Sequence, residues 1–358
     1  MKRISMMLIV ILQLLVTLYA DTEHIIEPRL SNPLEIGKKS LMFGSIAAVC
    51  EDDHANFYVL DKLEHKVFKF SPLGELQLSF GDEGEGPGDF QRPNRIAFTD
   101  NGEIVVADEL YYLTYLKTDG TFIKRIDLNG RIVPGYIGPD AFYAWIWRPE
   151  DKQQILCDAN NTVVRVFYSV AKKSFSVNIP DRSGRAVMFS YLRDEFAPAL
   201  LFAHSGKYSA IAVTDKYEIT LLNNEGQSLR MIKRNISPGR INKKERDYFA
   251  KDITEVGRYR GWPKSANRKL LKIIPEEKIF FDRILLTEHY VFVCRIKEDI
   301  TKEESPTPID IFSIEGKYIG ATQIDLKPIH ISDQYMYFVK SDEDENLFLV
   351  RMDYQLRK

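Results

Sequence analysis

The chain has 358 residues, of which 44% are hydrophobic, and it carries a formal net charge of −2. The hydrophobic fraction is ordinary for a globular protein and is sufficient for a full core. A net charge this close to zero gives no strong positive field, so the composition argues against a nucleic-acid-binding protein.

Residues 1–20 predict a secretory signal peptide. Met-Lys-Arg is followed by an apolar run from Ile4 to Leu18, and the small Ala20 precedes Asp21. This order is typical of a cleaved leader, and the run is shorter than the roughly 20 residues of a membrane-spanning helix; an uncleaved anchor is the alternative. Because no Cys follows the run as a lipidation site, we expect a periplasmic or secreted protein with no membrane span once the leader is removed.

Residues 21–358 predict a single repetitive β domain. The clearest repeat is an apolar strand, a short polar turn and a second strand, and four of these turns contain a glycine: Gly74, Gly120, Gly226 and Gly316. Two further copies, around Val166 and Leu347, bring the hairpin to six. The spacing is near the ~40–50 residues of a four-stranded propeller blade. The pattern therefore predicts an all-β fold, a six-bladed β-propeller of four-stranded antiparallel blades.

One blade carries a specific motif. Residues 81–108 read GDEGEGPGDFQRPNRIAFTDNGEIVVAD, a glycine-rich loop followed by two short strands joined at Asn101-Gly102. Glycine and proline disfavour helix and central strand in the loop, and Asn-Gly favours a hairpin. In this order the motif resembles the repeat of NHL-type and related bacterial six-bladed β-propellers. The resemblance implies the propeller fold and a role as a binding platform, and it names no ligand.

An insertion is expected at about residues 237–278, because the interval from Gly226 to Gly316 is longer than one blade needs. Asn242 and Glu245 have the spacing of a helix capping box, and Pro263 favours the first turn of a second helix. The segment thus predicts two helices before blade five, where members of the group that it resembles often carry a helical excursion.

The strands of blade three have two possible assignments. Blade three can be drawn with strands at 141–147, 153–157, 162–169 and 174–179, while 133–138 competes as its first strand.

The last blade lacks a fourth strand at the end of the chain. The chain stops at Lys358, shortly after the third strand of the last blade. Because an open ring would expose edge strands, we expect residues 23–30 to complete that blade by pairing with the C-terminal strand.

Aspartates recur where the second strand of a blade is expected to end, at Asp61, Asp108, Asp158 and Asp215. Four carboxylates at one channel mouth could hold a cation, but an Asp here also fixes the following turn by accepting backbone hydrogen bonds. We favour the structural role. A second acidic group lacks the spacing of an EF-hand calcium loop and is interpreted as a solvated turn; it comprises Asp82, Glu83, Glu85 and Asp89.

The remaining polar residues predict no metal, no cofactor and no catalytic nucleophile. Three histidines fall near first-to-second-strand turns of different blades, without metal-binding spacing: His54, His204 and His289. No nucleophile elbow or phosphate-binding loop is present. The three cysteines belong to different blades, so we expect buried, unpaired thiols; they are Cys50, Cys157 and Cys294.

Aromatic and basic residues supply the candidate binding surface, although packing between blades is the alternative for each aromatic group. The candidates are Tyr111, Tyr112, Trp145, Trp147, Arg258, Arg260 and Trp262. Trp262 lies in a basic loop between Gly261 and Pro263, which makes it the strongest candidate for an exposed anchor.

The leading hypothesis is an exported, monomeric, non-enzymatic binding scaffold that recognises a protein, peptide or glycan through the channel mouth and the inserted helices. Loops on a rigid ring can vary without disturbing strand pairing, which favours recognition there. The competing hypothesis is a metal-dependent lyase or lactonase with its site in the central channel, since some NHL-type propellers are metal-dependent lyases. A structural module of an envelope assembly is a third possibility.

Overall fold

The computed structural model describes residues 27–357 apart from 39–40, 100, 109–111, 129–131, 139–140, 148–150, 159–160, 172–175, 182, 191–197, 224–225 and 303–304. The predicted leader, residues 23–26 and Tyr111 therefore lie outside the described residues. Within the described ranges, no helix combines the length and the apolar character that crossing a membrane requires.

Six four-stranded antiparallel sheets make up most of the structure, and each sheet is one blade. The first strands of successive blades lie side by side, and the first strand of blade 6 lies beside that of blade 1. The blades therefore form a closed propeller around a central channel. This arrangement confirms the predicted all-β fold of four-stranded antiparallel blades.

The strands are numbered in chain order and the blades in the same order. Blade 1 contains β2 (Ile46–Glu51), β3 (Phe57–Asp61), β4 (Lys66–Phe70) and β5 (Leu76–Phe80), and blade 2 contains β6 (Pro93–Phe98), β7 (Ile104–Asp108), β8 (Tyr112–Leu116) and β9 (Phe122–Asp127). Blade 3 contains β10 (Ile132–Gly138), β11 (Ala141–Trp147), β12 (Asp151–Asp158) and β13 (Val163–Ala171), and a separate hairpin follows as β14 (Ser176–Pro180) and β15 (Ala186–Ser190).

Blade 4 contains β16 (Leu200–Ser205), β17 (Tyr208–Val213), β18 (Glu218–Asn223) and β19 (Ser228–Lys233), and blade 5 contains β20 (Phe281–Leu286), β21 (Tyr290–Arg295), β22 (Thr307–Ser313) and β23 (Tyr318–Ile324). Blade 6 combines β24 (His330–Ile331), β25 (Tyr335–Ser341) and β26 (Leu347–Arg357) with β1 (Glu27–Ile36) from the start of the domain.

Burial decreases from the inner strands of a blade to its outer strand. Every residue of β3 and of β7 is buried, whereas most residues of β19 are exposed. A blade packs against a neighbour on each face, so an inner strand is apolar on both sides rather than alternating. The hydrophobic core is accordingly divided among the blade interfaces; one cluster, for example, joins β17 and β18 to β20 and β21.

A glycine lies in the turn between the third and fourth strands of four blades, as the repeat predicts. Gly74, Gly120, Gly226 and Gly316 all have positive φ, between 72° and 85°. Each donates its backbone N–H to the carbonyl oxygen three residues earlier, as Gly74 does to Ser71 over 2.9 Å. A side chain is strained in this left-handed conformation, so glycine fixes the turn.

Pairing of β1 with β26 closes the ring. The two strands are antiparallel, with Glu27 opposite Arg357 and Ile36 opposite Leu349. The expected closure by the N-terminal segment is confirmed, and it extends beyond residue 30 to Ile36. Ile36 is buried in the core between blades 6 and 1, so this strand contributes packing as well as hydrogen bonds.

In blade 3 the competing assignment is the correct one. Ile132–Gly138 is its first strand, and residues 176–180 leave the blade to pair with Ala186–Ser190. The prediction of a fourth strand at 174–179 is wrong because that segment has an antiparallel partner immediately after it in sequence. Asp158 therefore ends the third strand of blade 3, and its predicted place at the end of a second strand is also wrong.

One of the four repeated aspartates, Asp61, has the predicted turn-fixing role, and Asp108 has a related one. Asp61 accepts backbone hydrogen bonds from Leu63 and Glu64 in the following turn, and also from Gly44 and Ser45 ahead of β2. Asp108 accepts from the backbone of Gln91 and Arg92 ahead of β6, and burial raises the pKa of its carboxyl above the usual range despite these bonds.

In blade 4 Thr214 provides the acceptor at the equivalent position, while the turn-fixing role of Asp215 stays a prediction. The Oγ1 atom of Thr214 accepts from the backbone N–H of Ala199, ahead of β16, over 2.8 Å. A hydroxyl provides the same local acceptor as a carboxylate. The recurring feature is therefore a side-chain oxygen at the end of the second strand that accepts a hydrogen bond from the backbone ahead of the first strand. The residue that supplies this oxygen varies between Asp and Thr.

The insertion forms two helices between blades 4 and 5, as predicted: α1 (Lys243–Tyr259) and α2 (Lys264–Lys272). Asn242 and Glu245 make the predicted capping box, with each side chain bonded to the backbone of the other residue. Pro263 is the residue that precedes α2 rather than a residue of its first turn, because its ψ of 145° is extended.

A buried ion pair fastens α1 to the propeller. The ammonium of Lys278 donates to Glu245 Oε1 over 2.6 Å and to the backbone oxygens of Lys297 and Glu298. Glu245 is 0% exposed and Lys278 is 6% exposed. Glu245 thus caps its own helix and also accepts a hydrogen bond from Lys278, which lies just ahead of blade 5. These contacts hold the insertion in a fixed position.

Deletion of residues 27–36 is expected to lower the melting temperature by roughly 10 °C or more, because β26 then loses its pairing and a core face is exposed. Differential scanning calorimetry of the deleted chain and of a control that lacks only residues 21–26 measures the effect. Equal melting temperatures for the two chains would contradict the closure.

Lys278→Met is expected to destabilise the protein by about 3–5 kcal/mol, because it leaves the Glu245 carboxylate buried and unpaired. Urea unfolding measures the change. Lys244→Met is the matched control: Lys244 is next to Glu245 on α1 and is 62% exposed in its ion pair with Asp299, so loss of this pair costs less than about 1 kcal/mol. Similar losses for the two variants would contradict the anchoring role of the buried pair.

Candidate functional site: the central channel

A cavity of about 390 Å³ lies on the axis of the ring. It is lined by the first strands of five blades, namely blades 1, 2, 4, 5 and 6. The polar side chains in its wall include two arginines and two histidines, which are Arg95, Arg283, His204 and His330. Because these residues are far apart in sequence, only closure of the ring brings them to one space.

Arg95 and Arg283 occupy equivalent positions in blades 2 and 5. In each blade the arginine is the first paired residue after a register shift in the first strand, with Arg95 opposite Ala107 and Arg283 opposite Cys294. Ala48 has the corresponding place in blade 1. In a ring of six, blades 2 and 5 are separated by two blades on either side, so the two arginines extend from opposite walls at the same height.

The two guanidinium groups interact unfavourably. Burial lowers the pKa of Arg95 below its usual value, and the positive charge of Arg283 lowers it further. Arg95 is exposed toward the channel, and the burial of its remaining surface acts together with the neighbouring charge. Arginine nevertheless stays protonated in proteins. The channel therefore contains two cations that repel one another.

No acidic side chain among the described lining residues offsets both arginines. Asp282 is the acidic residue of the lining, and its Oδ2 atom pairs with the ammonium of Lys327. Arg283 donates to the backbone oxygen of Pro328 over 2.5 Å, while no hydrogen bond or ion pair of Arg95 is found in the described part of the chain. Residues 132–138, the first strand of blade 3, contain no acidic residue in their sequence.

His204 and His330 add two neutral side chains to the lining. His204 lies four residues beyond Leu200, which pairs with the residue before Thr214 as Arg95 pairs with the residue before Asp108. Four residues along a strand correspond to roughly 13 Å. Burial lowers the pKa of both histidines to about 4, and the Nδ1 atom of His204 is 3.0 Å from the Oγ atom of Ser209.

The binding candidates whose side chains the structure describes are outside the channel lining and lie on separate parts of the fold: Tyr112, Arg258, Arg260 and Trp262. Tyr112 begins the third strand of blade 2, where the guanidinium of Arg125 lies 4.6 Å from its ring centroid. Trp145 and Trp147 are on β11, the second strand of blade 3, and their side chains are outside the described part of the structure.

The third candidate group is on the inserted helices. Arg258 and Arg260 are exposed, as is Tyr259 between them, which is 93% exposed. Trp262 is half-buried rather than free, because its ring packs edge to face on Phe189 at a centroid distance of 6.2 Å. The expectation of a fully exposed Trp262 anchor is therefore corrected, while a binding role for this group stays a prediction.

Within the described residues, no three or more His, Cys, Asp or Glu side chains come together as metal ligands. The acidic loop is folded by contacts of its own: Arg125 donates to the backbone oxygens of Glu85 and Asp89, and Gln91 donates to the Glu85 carboxylate. The three cysteines are buried and form no disulfide with one another, as predicted. The metal-dependent alternative therefore gains no support from the described residues.

Sequence reasoning missed Arg95 and Arg283, although a signal was available. Each is a basic residue inside the first strand of a blade, in the runs Pro93–Phe98 and Phe281–Leu286, where most neighbours are apolar. A charge at this position is costly unless the site has a function or a partner. Aligning the first strands of the repeats would have shown that both arginines precede an isoleucine.

Protein stability is expected to fall as the pH decreases from about 6.5 to about 4, in part because of His204 and His330. The unfolded chain binds protons at these residues near pH 6.5, whereas the native protein binds them only near pH 4, so acid favours unfolding. Urea unfolding at about pH 7 and about pH 4.5 should show a smaller acid-induced loss for His204→Gln/His330→Gln than for the wild type. Exposed His54→Gln is the control, and equal losses in all three proteins would contradict the assignment.

The fold and part of the sequence match known families. The model of DUF5128, described as a 6-bladed beta-propeller, matches residues 33–182. A Bacteroides fragilis protein described as exported has 12% identity and a TM-score of 0.55, and the alignment covers 95% of this chain and 98% of that one. A member of the DUF4221 family from Bacteroides vulgatus has 11% identity and a TM-score of 0.52, with coverage of 94% and 100%.

No match is found among curated proteins. At these identities the likeness to the two Bacteroides structures shows the fold alone. The chain is therefore a β-propeller that is similar, over residues 33–182, to a family of six-bladed propellers.

Proposed function

We propose that the protein is an exported, non-enzymatic binding scaffold whose ligand site is the central channel. The observation that carries the proposal is the cavity of about 390 Å³ with charged and polar groups contributed by separate blades. This size lies within the range of small-ligand pockets, in which a few polar groups on a rigid wall provide orientation and specificity. A site built on paired strands is also more precisely held than one built on loops.

The proposed scaffold has a second contact region at the inserted helices. Arg258, Tyr259 and Arg260 are exposed at the end of α1, and the Glu245–Lys278 ion pair fixes that helix to blade 5. We assign to this exposed end the contact with a protein, peptide or glycan. Arginine and tyrosine are common anchors in such contacts. The NHL-type motif of blade 2 agrees with a platform of this kind.

Export is part of the proposal. It rests on the leader-like order of residues 1–20 and on the description of the B. fragilis structure as an exported protein. Comparing the mass of the protein recovered from the cell envelope with that of the full chain would show whether residues 1–20 are removed.

Filling the channel is expected to abolish binding. Ala48→Trp places a large side chain where the equivalent residues of blades 2 and 5 already extend arginines, so the ring can accommodate it while the free volume is lost. Leu76→Trp is the matched control, since Leu76 is 50% exposed on the outer strand of the same blade.

Wild-type protein and both variants, checked for equal melting temperatures, are to be applied to a glycan array and to a library of short peptides. We expect at least one probe that binds the wild type and Leu76→Trp and that binds Ala48→Trp at least about tenfold more weakly. Binding that is unaffected by Ala48→Trp, or no retained probe in either set, would contradict a channel site.

A further inference from the structure

We propose that the channel selects a small organic anion, and that the carboxylate or phosphate group of this ligand lies on the axis between Arg95 and Arg283. The inference rests on the proposed function, because it identifies the chemistry of the ligand for the same site.

The first step is the placement of like charges. Arg95 and Arg283 extend from opposite walls at the same height, and each is close enough to the other for their charges to interact. A folded protein gains nothing from two unneutralised cations in an enclosed space, since both desolvation and repulsion oppose folding. A bound anion that neutralises both guanidinium groups would account for such a pair.

The second step is the lack of an internal counter-ion. Asp282 is engaged by Lys327, and Arg283 is held in place by the backbone oxygen of Pro328. The guanidinium of Arg95 keeps its donors available toward the channel. Because Lys327, which lies outside the lining, neutralises Asp282, the charges of Arg95 and Arg283 are the two that stay unbalanced among the described lining residues.

The third step is geometric. A guanidinium is a planar fork of donors that matches the two oxygens of a carboxylate or phosphate. Two forks that approach from opposite sides can hold one anionic group between them. A single surface arginine contacts an anion from one side only. Two arginines on opposite sides attract the anion and also select for its charge.

The two histidines specify the rest of the ligand. His204 and His330 line the same cavity as the arginines and are uncharged near pH 7. A neutral imidazole has one donor and one acceptor nitrogen, which suits hydroxyl groups. The cavity of about 390 Å³ holds the equivalent of about 13 waters at ~30 Å³ each, which corresponds to a ligand of about a dozen non-hydrogen atoms. An anionic monosaccharide has this size and this combination of groups.

The test uses the full chain and three probes at constant ionic strength: glucuronate, inorganic phosphate and the neutral control glucose. Melting temperature and titration calorimetry are measured for the wild type and for Arg95→Gln, Arg283→Gln and the double variant. Arg185→Gln is the matched control, because Arg185 is an exposed arginine on the β14–β15 hairpin, outside the channel lining.

Both anions should raise the melting temperature of the wild type and of Arg185→Gln, with the larger shift for glucuronate, while glucose has little effect. The double variant should bind both anions at least about tenfold more weakly. Without any probe, Arg95→Gln should melt above the wild type, because the repulsion between the two cations is removed and no hydrogen bond found among the described residues is lost. This readout does not depend on any added ligand.

The absence of a shift with either anion, or equal anion binding by the wild type and the double variant, would overturn the inference. Glucose binding as strong as glucuronate binding would also overturn the inference of an anion site. If Ala48→Trp then abolishes glucose binding, the proposed function still holds, because the ligand site is in the channel. Anion binding that survives in Ala48→Trp would instead place the anion outside the channel and refute both proposals.

Discussion

Antiparallel pairing between the first and last strands of the domain is the constraint on which the structure depends. Glu27–Ile36 completes blade 6 from the opposite end of the chain, and without it β26 would have a free edge. Closure also defines the channel, because the first strand of each blade is paired on one side and directs its other edge to the axis. Unpaired backbone groups on that edge require water or a ligand, so the ring is polar at its centre even where its side chains are apolar.

Closure of the ring brings together residues whose role cannot be seen from their local sequence. Arg95 and Arg283 are 188 positions apart in sequence, yet the sixfold order of blades sets them across one narrow space at equivalent heights. The Glu245–Lys278 pair acts in a similar way on the insertion, since it couples the cap of α1 to the entry of blade 5. The ion pair is neutralised by the chain itself, whereas the two arginines have no counter-ion among the described lining residues, and this difference is the basis of the proposed binding role.

Local features were predictable from the sequence, whereas features that depend on the ring were not. Turn glycines such as Gly74 and the capping box at Asn242 follow from backbone conformation within a few residues, and both are confirmed. Asp158 was assigned wrongly because its equivalence depended on counting strands in blade 3, where a hairpin at 176–190 resembled a fourth strand. The proximity of Arg95 and Arg283 requires the number and order of the blades, which no local pattern contains. The aromatic candidates were chosen for size and flanking charge, properties that do not distinguish a channel wall from an outer strand.

The account is tested most directly by locating an anion in crystals of the full-length mature protein soaked in selenate, whose anomalous scattering identifies it without assumption. The account predicts a selenate peak on the channel axis, within hydrogen-bonding distance of the guanidinium groups of both Arg95 and Arg283. An ordered channel with no peak between these residues, or an open ring in which the two arginines face different spaces, would contradict it.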